Sequence, residues 1–402
     1  MTYRKYNTYG QLRTVLLGSF FFPEYFSKIK NPNVRDPLMQ MAKEINEDLE
    51  EITNVLKSYG CDVLRAEQPT GYLDIENVYI PPIEVRNNHA VIGNQLYQLN
   101  RDFKHSSNTI LTNYCSDIVN LVDANEEFFF KKMLEAKSNY NHNLDLWYSK
   151  SKYDELAGND WPDYYDYVKG VRPIDPIINN EIASFKSVLE YETKEVGSLQ
   201  GPNVINTNDT LYVDANEYCD YATWLGARIQ DSRPIKQFTS KAGHVDGCFA
   251  ILNSNTILGI NPLIDYANLF PNHKLISLPL ESGIPTIKEF KIMADKVKGS
   301  WWLAGQEYND ELIEFVETYL KSWAGYISES VFEVNVLSIN ENTVLVTDIS
   351  PDLEKQLKSQ GIDCIIVPWR HRFFLDGGLH CITLDLYREG TQKDYFPERG
   401  LT

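Results

Sequence analysis

One pattern constrains the fold of this chain more than any other: a hairpin, a helix and a return strand follow one another, and the series recurs. In the clearest copy, the hairpin Val334–Ile349 turns at Asn340-Glu341-Asn342. Ser350-Pro351-Asp352 then predicts a helix start, with Ser as N-cap, Pro at the first position and an acid in the first turn. The helix is expected to end at Gly361, and Cys364–Pro368 to form the return strand.

The same order appears earlier in the chain. Leu12–Gly18 predicts a buried strand, and Asp36-Pro37 predicts the start of a helix with one apolar stripe that ends at Gly60. A short strand, Cys61–Ala66, follows. Modules that each bury one face favour an α/β or α+β architecture closed on itself. Two further hairpins are predicted at His89–Leu99 and Cys248–Ile260.

The charge of the chain limits its partners. It has 38 Lys and Arg against 56 Asp and Glu, a formal net charge of −18. We expect neither nucleic acid nor an anionic membrane as a partner, because nothing would offset phosphate repulsion. The balance permits a cationic ligand, although charge alone favours the simpler interpretation of a surface kept soluble by like charge.

Cysteine spacing and apolar runs indicate the compartment. The six cysteines stand singly, without a CxxC pair, which is typical of neither a disulfide scaffold nor a zinc ribbon. The start, MTYRKYNTYGQL, has no apolar segment of a signal peptide, and no apolar run reaches the roughly 18–20 residues of a membrane helix. We therefore expect a cytoplasmic protein.

No low-complexity linker divides the chain, so residues 1–402 are predicted to form a single domain. Residues 138–171 differ from the rest, because they hold six tyrosines and two tryptophans without a clear period. We expect an aromatic-rich insertion packed on the core, with a lid over the active site as the alternative.

Reactive residue types stand at the ends of strand-like runs. His244 and Asp246 are two residues apart, so on an extended segment they would face the same side. Cys381 follows paired glycines, which allow close backbone approach to a ligand and unusual dihedral angles. The three segments concerned are Tyr212–Asn216, Gly243–Gly247 and Gly377–Thr383.

Together these residues predict a site for a planar cation that is attacked at carbon. The carboxylates of Asp214 and Asp246 would hold a guanidinium by forked hydrogen bonds. The Cys381 thiolate would add to the central carbon, and His244 would protonate the departing amine. The product would be a covalent amidino-thioether, which an amine or water then splits.

Simpler interpretations stay open for the same residues. A cysteine before an apolar run is commonly a core residue, and a His-x-Asp pair is commonly a satisfied structural pair. Zinc ligation by His244, Asp246, His380 and Cys381 is a further alternative. It is awkward because adjacent residues on a strand, such as His380 and Cys381, face opposite ways.

In chain order, Asp214-Ala215-Asn216, His244-x-Asp246 and Gly377-Gly378-x-His380-Cys381 resemble the glycine amidinotransferases. This family belongs to the pentein, or guanidino-group-modifying, superfamily. The resemblance covers most of the chain and is weak over about residues 100–205. It implies a pentein fold, a fivefold pseudosymmetric α/β propeller of ββαβ modules with the site in its central channel. No cofactor or metal is expected. Family members are often dimers, so the resemblance is compatible with a homodimer, but the sequence leaves the oligomeric state open.

The resemblance also implies residue roles. Cys381 would be the nucleophile and His244 the acid and base, while Asp214 would orient His244 and the guanidinium. Asp246 would hold the guanidinium. Four further residues match family positions near the substrate: Arg86, Asn87, Thr383 and Ser328.

Two departures from the family pattern keep the reaction open. Asn87 stands where the family has a guanidinium-binding aspartate, which resembles the arginine dihydrolase branch. The segment Gly259–Ile264 lacks the family's carboxylate-binding arginine. The leading hypothesis is an amidinotransferase that moves an amidino group from arginine, or a related guanidine, to an amine such as glycine. A guanidine hydrolase releasing ammonia is the alternative, and a non-catalytic pentein binding protein is a third.

Overall fold

A computed structural model describes the parts of the chain on which the fold is built. The predicted insertion at 138–171 lies outside the described residues, apart from Ser138 at a helix end, and so does Ser328. The described ranges are 2–68, 70–76, 78–100, 117–138, 199–215, 219–240, 244–260, 264–279, 301–320, 324, 332–375 and 377–391.

Fifteen short strands lie in the described part of the chain. In chain order they are β1 (Leu12–Leu17), β2 (Asp62–Arg65), β3 (His89–Ile92), β4 (Gln95–Gln98), β5 (Ile118–Asn120), β6 (Val204–Asn206), β7 (Leu211–Asp214), β8 (Ile235–Phe238), β9 (Phe249–Asn253), β10 (Thr256–Ile260), β11 (Lys274–Leu278), β12 (Leu337–Asn340), β13 (Thr343–Val346), β14 (Asp363–Ile366) and β15 (Thr383–Arg388).

Helices of very different length connect these strands. None of the described helices is both long and apolar enough to cross a bilayer. In chain order they are α1 (Pro32–Ser58), α2 (Val122–Ser138), α3 (Tyr221–Gly226), α4 (Tyr266–Leu269), α5 (Asp310–Phe315), α6 (Pro351–Ser359) and α7 (Arg372–Leu375).

The described strands form five three-stranded sheets of one pattern. Within each sheet two antiparallel strands pair, and a third strand runs parallel to the second. Such a parallel connection needs a crossover, which α1, α3, α4 and α6 supply in four of the sheets. The predicted hairpin–helix–strand repeat and α/β class are thereby confirmed. The sheets are β15-β1-β2, β3-β4-β5, β6-β7-β8, β9-β10-β11 and β12-β13-β14.

The first sheet joins the two ends of the described chain. Its strand β15 pairs antiparallel with β1, which places Thr383 opposite Leu17 and Asp385 opposite Val15. The segment that carries the predicted nucleophile leads directly into β15. Its position is therefore fixed by the first strand of the fold.

The predicted start of α1 at Asp36-Pro37 is wrong. The helix begins at Pro32, because the Asn31 side chain caps it by accepting a hydrogen bond from the Asn33 backbone N–H. Pro37 is accommodated inside the helix. The predicted helix ends are confirmed, since Gly60 has a φ of 77° just after α1.

The largest core cluster packs the apolar stripe of α1 against β1 and α7. Its helix face includes Leu38, Ile45 and Leu49, all fully buried. On the same helix Asp48 is buried, and both of its oxygens receive hydrogen bonds from Arg370, one from the backbone and one from the side chain. This pair fixes the segment that leads towards Cys381.

Candidate active site

Cys381 lies in a tight turn just before β15 and is 4% exposed. Thr383 closes this turn, because its backbone N–H donates to the carbonyl of His380 at 3.2 Å. The Thr383 hydroxyl also donates to the Leu379 carbonyl at 2.8 Å. Thr383, predicted to lie near the substrate, is fully buried here and supports the backbone around Cys381.

Asn335 holds this turn against a second segment. Its Nδ2 donates to Cys381 Sγ at 3.1 Å and to the Asp246 carbonyl at 3.3 Å, while its Oδ1 accepts from the His380 backbone N–H at 2.8 Å. Gly378 makes room for it, since a Cβ at Gly378 would lie 2.5 Å from Asn335 Oδ1. A single buried amide thus positions the thiol and both neighbouring segments.

The Asp246 carboxylate contacts both residues of the His-Cys pair. Its Oδ2 accepts hydrogen bonds from His380 Nδ1 at 2.9 Å and from Cys381 Sγ at 3.5 Å. Its Oδ1 is buried without a hydrogen-bond partner among the described residues. A buried acceptor in this state is suited to a donor group that arrives with a ligand.

The protonation states of Asp246 and His380 follow from their surroundings. Burial alone would raise the pKa of Asp246, but the hydrogen bond from His380 and the charges of His380, His244 and Arg86 hold it well below its usual range. Burial, with the charge of Arg86, lowers the pKa of His380 to about 4 against the opposing effect of Asp246. At neutral pH, Asp246 is therefore ionised and His380 is neutral.

His244 and Asp246 do not lie on one extended segment, so that prediction is wrong. The chain folds into a 3-10 turn at Val245–Gly247 directly after His244, because Asn203 Oδ1 accepts from the Val245 backbone N–H at 3.1 Å. His244 Nε2 is hydrogen-bonded to the Gln200 side-chain oxygen. His244 stands at the N-terminal end of this turn, and its charge contributes to the lowered pKa of Asp246.

Asp214 is the last residue of β7 and is fully buried. Its two oxygens accept hydrogen bonds from the Ser240 backbone N–H at 2.9 Å and from the Ser240 hydroxyl at 2.6 Å. These bonds join the ends of β7 and β8. The role predicted for Asp214, orienting His244 and the guanidinium, stays a prediction.

Arg86 supports the turn that contains Cys381. Its Nε donates to the His380 carbonyl at 2.8 Å, and its Nη2 pairs with the buried Asp385 at 3.0 Å. Neighbouring Asn87 donates from Nδ2 to the Glu84 carboxylate, and its Oδ1 is buried without a partner among the described residues. Of Arg86 and Asn87, both predicted to lie near the substrate, Asn87 is the one with a side-chain acceptor that lacks a hydrogen-bond partner among the described residues.

The zinc alternative finds no support in the described part of the chain. The expectation that His380 and Cys381 face opposite ways is wrong, because both contact Asp246 from a turn. The described residues nevertheless hold no group of three or more His, Cys, Asp and Glu side chains arranged for a metal ion.

Comparisons with known proteins agree with the predicted resemblance. No family model matches the chain. Over 71 residues the chain is 37% identical to the mitochondrial glycine amidinotransferases of Danio rerio and Gallus gallus. That stretch is 18% of this chain and spans only 17% of the length of either relative.

Two solved structures match nearly the whole chain. SxtG, an amidinotransferase from Microseira wollei in the saxitoxin biosynthetic pathway, has a TM-score of 0.56 at 17% identity, covering 98% of this chain and 99% of its own. Inosamine-phosphate amidinotransferase StrB1 from Streptomyces griseus has a TM-score of 0.57 at 15% identity, with the same coverage. The chain has the amidinotransferase fold. At these identities, the comparison establishes the fold.

Five residues in or next to the candidate site occupy matching places in the repeat. Each precedes, by two or three residues, the outer strand that pairs antiparallel with the middle strand of its sheet: Asn87 before β3, Pro202 before β6, Asp246 before β9, Asn335 before β12 and Cys381 before β15. Pro202 lines the same cavity as Asp246 and His380. Equivalent modules thus generate equivalent positions, and these positions carry different side chains.

Sequence reasoning missed three residues of this candidate site. Asn335 bonds to Cys381, Gln200 to His244 and Glu84 to Asn87. For Asn335 a signal existed, because it stands two residues before an outer antiparallel strand of a sheet, as Asn87 and Cys381 do. Gln200 offered no such signal, since its contact with His244 depends on how distant turns meet, and Glu84 stands in no such position relative to a strand.

Proposed function

We propose that this protein is an amidinotransferase that moves an amidino group from arginine, or a related guanidine, to an amine such as glycine. The contact between Cys381 Sγ and the ionised carboxylate of Asp246 carries the proposal. It puts a potential nucleophile beside a group suited to hold a planar cation. The fold shared with SxtG and StrB1 supports the assignment.

The proposed reaction has two halves. The Cys381 thiolate forms a bond to the guanidinium carbon, the bond from that carbon to the donor nitrogen breaks, and the departing amine takes up a proton. An acceptor amine then adds to the same carbon and loses a proton, and the carbon–sulfur bond breaks to restore the thiolate. Both halves need a group that gives and takes a proton near the sulfur.

His244 is proposed to move these protons, and Asp246 to hold the guanidinium. In support, Asp246 contacts Cys381 Sγ, His244 lies two residues before Asp246 at the start of the same turn, and Gln200 fixes the imidazole of His244. Asp214 is proposed to support His244 from the end of β7. The neutral His380 keeps Asp246 in place by its Nδ1–H.

We further propose that the five sheets are arranged as a pentein propeller with the site at its centre. In support, β15 pairs with β1, so the first and last described strands share one sheet. The common position of Asn87, Asp246, Asn335 and Cys381, just before an outer antiparallel strand of a sheet, also supports a central site.

The decisive experiment traps the intermediate. Arginine labelled in its guanidino group is mixed with the protein, the reaction is quenched in acid, and the mass added to each peptide is measured. We expect one amidino group on the peptide with Cys381 and none in Cys381→Ala. Cys364→Ala is the matched control, because Cys364 lies on β14. Full turnover by Cys381→Ala without any adduct would overturn the proposal.

Product analysis separates transfer from hydrolysis. With an added amine, transfer yields ornithine and a new guanidino compound of that amine. Hydrolysis yields ornithine with ammonia, or citrulline, at a rate that no acceptor changes. We expect the first result, and the second would replace the transferase assignment by a hydrolase.

A further inference from the structure

Glu84 is a half-buried carboxylate beside the candidate site, and the proposed mechanism does not use it. It lies at the start of a short turn before β3, in which the Asn87 backbone N–H donates to the Glu84 carbonyl. The Asn87 side-chain Nδ2 also donates to the Glu84 carboxylate. The carboxylate is thus held in one orientation by the amide of its own turn.

This carboxylate reaches the loop that carries the thiol. A Cβ built on Gly377 would lie 3.2 Å from Glu84 Oε1 and 3.4 Å from the Cβ of Cys381. Glu84 and Cys381 therefore flank the same glycine. Because any side chain at this position would crowd both groups, Gly377 keeps the space between the carboxylate and the cysteine open.

Two buried oxygens at this place lack hydrogen-bond partners among the described residues. One is Oδ1 of Asn87, which belongs to the amide that holds Glu84, and the other is Oδ1 of Asp246, which contacts Cys381 through its second oxygen. Buried acceptors are normally satisfied, so both indicate a ligand rich in N–H donors. A guanidinium offers five N–H donors in one plane and a positive charge.

We propose that Glu84 is the second carboxylate of the donor site, opposite Asp246, and selects a cationic guanidinium over a neutral analogue. Asn87 is its positioning residue and adds one acceptor through Oδ1. The proposal rests on the proposed function, whose donor it specifies. Two carboxylates on different segments would hold the guanidinium plane with its carbon facing Cys381.

The test compares binding of a charged and an uncharged ligand of the same shape. In Cys381→Ser, which cannot form the thioether, titration calorimetry measures the affinity for arginine and for citrulline, in which a urea replaces the guanidinium. We expect Glu84→Gln to weaken arginine by roughly 10- to 100-fold and citrulline by less than about threefold, since only the charge-assisted bond is lost. Glu51→Gln, on the exposed face of α1, is the control.

A second part of the experiment moves the negative charge from position 84 to position 87. Glu84→Gln combined with Asn87→Asp exchanges carboxylate and amide between the two positions while keeping the total charge. We expect the double variant to recover at least about tenfold of the arginine affinity lost in Glu84→Gln. A purely structural role for Glu84 would weaken both ligands alike, and that result would overturn the inference.

Failure of this inference is distinguishable from failure of the proposed function. If Glu84→Gln binds arginine as tightly as its parent while the wild-type protein still forms the Cys381 adduct, the inference fails and the function stands. If the wild-type protein forms no adduct with arginine or any other guanidine, the proposed function fails.

Discussion

Asn335 Nδ2 lies 3.1 Å from Cys381 Sγ and is oriented to donate its proton to the sulfur. The same side chain accepts from the His380 backbone N–H, so the amide cannot rotate without losing a second bond. Donation to sulfur favours the thiolate, which is the nucleophilic form. We therefore expect Asn335 to affect the reactivity of Cys381 as well as its position.

Replacing this donor by an acceptor should slow the reaction of the Cys381 thiol with an alkylating agent. In Asn335→Asp the shape is kept, but a negative charge faces the sulfur and raises the pKa of Cys381. We expect alkylation of Cys381 by iodoacetamide at pH 7.5 to slow at least about tenfold, a shift of one pKa unit being tenfold in thiolate. Asn342→Asp, in an exposed hairpin turn, should leave the rate unchanged. Equal rates in both variants would contradict this role.

Gly378 should tolerate no side chain. In Gly378→Ala the new Cβ would lie 2.5 Å from Asn335 Oδ1, so the amide must leave its position. We expect amidino transfer to fall by about 100-fold or more, because small displacements at a reacting group are costly. Gly226→Ala is the matched control, since its Cβ would meet only Ile235 at 3.5 Å. The two variants are compared by adduct formation at Cys381, and similar rates would refute the prediction.

Two buried histidines should make the fold sensitive to acid. Burial lowers the pKa of His89 to about 3, and burial with the charge of Arg86 lowers that of His380 to about 4. Between pH 6.5 and 4 these two histidines bind protons in the unfolded chain but stay neutral in the folded protein. The free energy of unfolding should therefore fall as the pH falls, by at most about 1.4 kcal/mol per pH unit for each histidine.

The variant His89→Gln isolates one of these contributions. Urea unfolding at pH 7, 6 and 5 gives the slope of the unfolding free energy for the variant and the wild type. We expect a shallower slope in the variant, whatever its stability at pH 7. Parallel slopes would show that His89 binds its proton equally well in both states.

The pair between Arg370 and Asp48 should matter more than an exposed pair. Arg370→Met leaves the buried Asp48 carboxylate with one hydrogen bond fewer and no cation, and we expect a loss of about 2 kcal/mol in chemical unfolding. Adding Asp48→Asn to this variant should restore part of the lost stability, because it removes the buried charge. Lys358→Met breaks an exposed pair with Glu354 and should leave the free energy of unfolding nearly unchanged. A loss no larger in Arg370→Met than in Lys358→Met would contradict the prediction.

The sequence predicted those parts of the fold that depend on local signals. Hairpins were visible from turn residues, and the ends of α1 and α6 from Gly60 and Gly361, which both adopt a positive φ. The start of α1 was misplaced because two Pro signals compete there, and the Asn31 cap decides in favour of Pro32. Local patterns do not rank such competing signals.

The site was predictable in its residue types but not in its contacts. Paired glycines before Cys381 were expected to allow unusual dihedrals, yet neither adopts a left-handed φ, and they make room for Asn335 and Glu84. These two side chains come from segments far away in the chain. Their partnership with the cysteine loop depends on which turns meet in space, and one sequence does not show that.

The pairing of β15 with β1 has a consequence for biosynthesis. A ribosome must translate from Leu12 to beyond Thr383 before these two strands can join. Asp246 and Asn335 are synthesised before Cys381, whose thiol they contact in the folded protein. The strand that follows Cys381 thus finds its partner late in synthesis, and shorter nascent chains carry the other residues of the candidate site without Cys381.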